Sequence, residues 1–117
     1  MRILIINLIL AQSLSSAGAQ TVVSCKEVGA RSVYVEVEVH LRNGELFLSK
    51  YMNHEGGVRT IMTSFLVEAK EETSKIKFDS TKNLDSLQIK NGEAASVMKE
   101  IIMNSAYETK LKCEFRS

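Results

Sequence analysis

Between Val33 and Met52 the chain alternates apolar and polar residues with a period of two. Val33, Val35, Val37, Val39 and Leu41 fall on one side, and Tyr34, Glu36, Glu38 and His40 on the other. Successive side chains of a strand point to opposite faces, so this is the pattern of a half-buried strand, and β-branched valines suit its pleated surface. Asn43-Gly44 then supplies the positive φ angles of a two-residue type I′ turn. Pairing across that turn sets Leu41 opposite Leu46 and Val39 opposite Leu48 on one face. On the other face it sets His40 opposite Phe47 and Glu38 opposite Ser49.

The same reading runs along the rest of the chain. Thr21 to Cys25 is short and β-branched, a first strand, followed by a connection from Lys26 to Ser32. Asn53 to Gly57 breaks the pattern, since adjacent glycines bring backbone freedom and no side chain to pack. Val58 to Ala69 reads as a strand buried on much of both sides. Lys75 to Asp79 and Leu87 to Lys90 are shorter alternating strands, the second stopped by Asn91-Gly92. In Glu93 to Ser105, residues Ala94, Val97, Met98, Ile101 and Ile102 share one face at helical spacing. That spacing predicts a helix, the alternative being a strand that forms a last hairpin. In the closing strand Tyr107, Thr109, Leu111, Cys113 and Phe115 point one way. The expected fold is mainly β: a small antiparallel meander, closed as a barrel or a two-layer sandwich, with one helix near 93–105.

Composition adds a compartment. Met1-Arg2, an apolar run from Ile3 to Leu14, and small residues up to Ala19 follow the order of a secretory signal peptide. The expected organisation is a signal at 1–19, cleaved after Ala19, and a single exported domain at 20–117, periplasmic or secreted. Removing the first 19 of 117 residues also removes Arg2, leaving 14 basic against 14 acidic residues. Nucleic-acid binding leans on a basic excess, which such a chain lacks. No apolar run in the mature chain has the length of a transmembrane helix. Cys25 and Cys113 are the only cysteines, and export favours a disulfide clamping the terminal strands. Val22-Val23-Ser24-Cys25 also resembles the lipobox of bacterial lipoproteins, which implies a lipid on Cys25 instead.

The chemistry is sparse. Glu36, Glu38 and His40 share one strand face, but residues two apart on a strand sit roughly 6–7 Å from each other. That spacing suits neither tight chelation nor a nucleophile–base pair. His54-Glu55-Gly56-Gly57 lacks the second histidine of a metalloprotease helix. No catalytic, metal or cofactor residues are expected, and the chain reads as a non-enzyme. Tyr34, Phe47 and Tyr51 on the outward hairpin face, with His54 in a glycine-rich loop, are the candidate partner-binding residues. The rival role for that face is a floor beneath the expected helix. The combination of signal, neutral small domain and terminal cysteines broadly resembles many small exported bacterial proteins. Among them are lysozyme inhibitors with a small barrel, whose tyrosine-, glycine- and serine-rich signature is absent here. The expected function is that of a small exported binding protein, an inhibitor of a hydrolase being one form, acting on a protein or cell-envelope partner. The alternatives are a structural or envelope-associated module and, last, a small hydrolase.

Overall fold

The computed structural model describes residues 20–29, 31–90 and 95–116. The expected signal segment, its cleavage after Ala19 and the Asn91-Gly92 stop therefore lie outside the described residues. Eight strands follow one another, each antiparallel to the next: β1 (Gln20–Glu27), β2 (Tyr34–Arg42), β3 (Glu45–Asn53) and β4 (Arg59–Glu71). After these come β5 (Lys75–Ser80), β6 (Ser86–Lys90), β7 (Ser96–Ile102) and β8 (Ser105–Phe115). β8 pairs back onto β1, so the meander closes as an up-and-down barrel. Of the two expected arrangements, the structure is the barrel.

The central hairpin has the register that its alternation dictates, with Leu41 opposite Leu46, Val39 opposite Leu48 and His40 opposite Phe47. Asn43 and Gly44 carry the positive φ angles of the turn, 52° and 80°. Val37, Val39, Leu41 and Leu48 are buried and face the bore. Cross-strand partners carry that face around the barrel: Ile76 lies opposite Ile89, Phe78 opposite Leu87, Leu87 opposite Met98, and Ser96 opposite Leu111. Each fully buried side chain of this size contributes about 1.5–3 kcal/mol of transfer free energy. Phe65 and Phe115 pack against this core while keeping some exposure.

Cys25 and Cys113 face each other directly across the β1–β8 seam and are disulfide-bonded, at a sequence separation of 88. Cys25 is fully buried among the core residues. On the other side of β1, where its ladder with β2 ends, Glu27 takes over, its Oε1 accepting a hydrogen bond from the Val35 N–H at 3.0 Å.

The helix expected over 93–105 is not formed. Ser96–Ile102 is strand β7, paired with β8 from Ser96–Leu111 to Ile102–Ser105 through a two-residue turn at Met103-Asn104. Barrel closure supplies hydrogen-bonding partners on both sides of β7, and that tertiary pairing outweighs the helix propensity of a short segment. Ser96, Met98 and Glu100 point inward in strand alternation. Two other expectations change at the same end of the molecule. Val33 precedes β2 and is exposed, outside the core face. β4 is buried only in its second half, its first half carrying exposed Ile61 and Met62.

Candidate functional site

Three features stand out from an ordinary small barrel: a groove on the outer wall, an ion pair across the bore, and an apolar rim at one end.

The groove lies on the outward face of β2, β3 and β4, has a volume of about 450 Å³, and is lined by His40, Arg42, Phe47, Ser49, Tyr51 and Ser64. With β7 a strand, the expected helical cover is absent, and the hairpin's aromatic face forms the wall of this groove. Phe47 and Tyr51 come together there, whereas Tyr34 and His54 are not among the lining residues. Tyr34 instead has the Lys26 ammonium 6.0 Å from its ring centroid. His54 precedes a single 3₁₀ turn at Glu55–Gly57 and is exposed.

Beside the groove, the Arg59 guanidinium lies 3.4 Å over the Tyr51 ring. It also donates to Glu38 Oε1 at 2.8 Å and comes within 3.9 Å of Glu36. Partial burial disfavours its charge, but the Glu38 hydrogen bond and the nearby Glu38, Glu36 and Tyr51 outweigh that and hold its pKa above the ordinary arginine value. The two carboxylates that share the outward strand face with His40 are thus turned toward a permanent cation. Among the described residues no group of three or more His, Cys, Asp or Glu is arranged to hold a metal ion.

Lys50 lies on the inward face of β3, opposite the aromatic one. It pairs with Val37 in register, and its Nζ reaches Glu100 Oε1 at 2.7 Å. β3 and β7 are four strands apart in a barrel of eight, so this bond spans the bore. Both side chains are 12% exposed. The alternation Leu46, Leu48, Lys50, Met52 already contained this placement.

The rim follows from connectivity. In an up-and-down barrel alternate connections share an end, so the β1–β2, β3–β4, β5–β6 and β7–β8 connections lie together. Every large hydrophobic side chain exposed among the described residues belongs to this end. The first two connections bring Val28 and Val33, then Val58 with Ile61 and Met62 at the start of β4. The other two bring Leu84, 79% exposed, and then Ile101, Ile102, Tyr107 and Met103, the last 95% exposed. At the opposite end, the turns at Asn43-Gly44 and at Glu72 to Ser74 are polar. Contacts that tie the rim loops to one another and to the strands include Ser32 Oγ donating to Glu55 Oε1 at 2.8 Å and the Ile101 N–H donating to Asp85 Oδ1 at 2.9 Å.

The outer wall carries charge on strand after strand, including Lys26, Glu36, Lys70, Lys77, Lys99 and Lys110, around a bore that is mainly apolar apart from the Lys50–Glu100 pair. This is the reverse of a barrel whose outer wall faces lipid. Among the described residues no helix is long and apolar enough to cross a membrane. Comparison with protein-family models, curated proteins and solved structures gives no match to this chain.

Proposed function

We propose that this is a small, exported, non-enzymatic binding protein that engages a protein or cell-envelope partner through the loops of its apolar rim. The observation that carries this reading is the segregation of exposed apolar side chains to one end of the barrel. Scattered surface hydrophobics need no explanation, but a grouped set rimmed by polar residues marks a contact surface. Inhibition of a hydrolase is one form of this function, with rim loops entering the enzyme's cleft. Export rests on the charge, apolar and small-residue order of the first 19 residues, and the Cys25–Cys113 bond suits an oxidising compartment. An envelope-associated role is the second reading, favoured because apolar side chains on separate loop tips suit a lipid surface as well as a protein cleft.

The test is capture from the native envelope with three immobilised baits: wild type, Leu84→Ser/Met103→Ser and Phe47→Ser/Tyr51→Ser. The rim reading expects a partner, protein or lipid, retained by wild type and by the groove variant and lost by the rim variant. Equal retention by all three baits removes the rim from consideration. Loss confined to the groove variant transfers the function to the hairpin face.

A further inference from the structure

β4 is longer than its neighbours, and its two sides are not equally paired. Along β3 it is matched from Arg59 to Val67, but along β5 only from Val67 to Glu71. One more bond, from the Thr81 N–H to the Leu66 carbonyl at 3.2 Å, closes the β5 side. Beyond it, toward the rim, no strand among the described residues lies opposite Thr60 to Phe65. Peptide groups two residues apart on a strand face the same way, so the N–H and C=O of Ser64 face this open side, as those of Leu66 do.

An open edge is a template for another strand, and proteins normally blunt it with lysine, proline, a bulge or a covering loop. Here the β3–β4 bulge falls at Met62, and Ser64 beyond it keeps regular register opposite Ser49. Thr60-Ile61-Met62-Thr63-Ser64-Phe65-Leu66 contains no charge, proline or glycine, and Ile61 and Met62 are exposed. The flanking Arg59 is turned away, held over Tyr51 and against Glu38 on the outer wall.

We infer that this edge of β4 is a dimer interface, on which the same edge of a second copy pairs antiparallel. Only an extended chain satisfies a row of backbone donors and acceptors, so the occupant is a strand. An uncharged segment carries nothing to repel its own copy. Two-fold antiparallel pairing of one edge with itself also closes on itself and stops at the dimer. The inference goes beyond the rim reading, because it uses backbone groups of β4 rather than the loop tips.

Light scattering of the chromatographed protein over a dilution series tests it. Wild type is expected at twice the chain mass when concentrated, falling toward one chain mass on dilution. Ser64→Pro removes an N–H that faces the open side, where proline is tolerated, and is expected to be folded by circular dichroism and monomeric throughout. Met62→Lys, which leaves the backbone intact, is expected to be monomeric too and decides the matter if the proline variant does not fold. Leu84→Ser/Met103→Ser is expected to remain dimeric, which separates this interface from the rim. A wild type that is monomeric at every concentration, a dimeric Met62→Lys, or a monomeric rim variant overturns the inference.

Discussion

Met103 holds the least comfortable place in the molecule. Its φ is +50°, in the left-handed region that a residue with a Cβ avoids, and its side chain is almost wholly in water. The β2–β3 turn solves the same geometric problem with Asn43 and Gly44. Strain and apolar exposure at one tip are a combination that stability alone does not favour, and such outliers gather at binding sites. Met103→Gly is therefore expected to raise stability by about 0.5–1 kcal/mol in chemical denaturation while weakening partner capture. A gain in stability with capture unchanged would leave Met103 as a strained turn and nothing more. Lys50 and Glu100 show the opposite economy, a well-made bond between charges that have left water. Removing one partner of a buried pair costs about 3–5 kcal/mol, whereas replacing both with apolar residues of similar volume is often neutral. Lys50→Met and Glu100→Leu are expected to destabilise strongly one at a time and to compensate when combined, as read in a double-mutant cycle. Additive losses would mean that the pair does not act as a unit.

At the scale of elements, the sequence was most readable where local and tertiary preferences agree. β2 and β3 have valines on one face, charges on the other and Asn-Gly between them, and the observed register is the one this pattern implies. β8 is equally plain, its alternation placing Cys113 inward. The segment 93–105 was ambiguous because a helix and a strand both explain a short apolar run. Only the partners, β6 and β8, decide between them, and those lie in the tertiary fold. The rim was hidden for a related reason. Ile61-Met62 and Ile101-Ile102-Met103 look like core in one dimension, because their exposure depends on how far each strand overshoots its neighbours. Of the candidate site residues, Phe47 and Tyr51 could be placed together from the hairpin register. Arg59 could not, since a bulge between Lys50 and Tyr51 of β3 and their β4 partners sets where it falls.

For the whole molecule, closure is the organising fact. An open meander leaves two unpaired edge strands, and pairing β8 with β1 removes them. The disulfide fixes that seam across a separation of 88 residues, and cross-linking so long a loop is worth about 4–5 kcal/mol in the chain-entropy view. Cys25→Ser/Cys113→Ser is expected to lose an amount of this order in denaturant titration, a large share of the roughly 5–15 kcal/mol typical of a domain. A loss under about 1 kcal/mol would show that strand pairing alone secures the seam. The seam also imposes an order in time. Of the eight strands β1 is made first and β8 last, so the edge of β1 that pairs with β8 waits until all the intervening strands have been synthesised. Until then the Cys25 thiol has no partner within the chain. A persisting thiol at Cys25 therefore marks a molecule whose last strand has not docked, and its disappearance into the bond records that the barrel is complete.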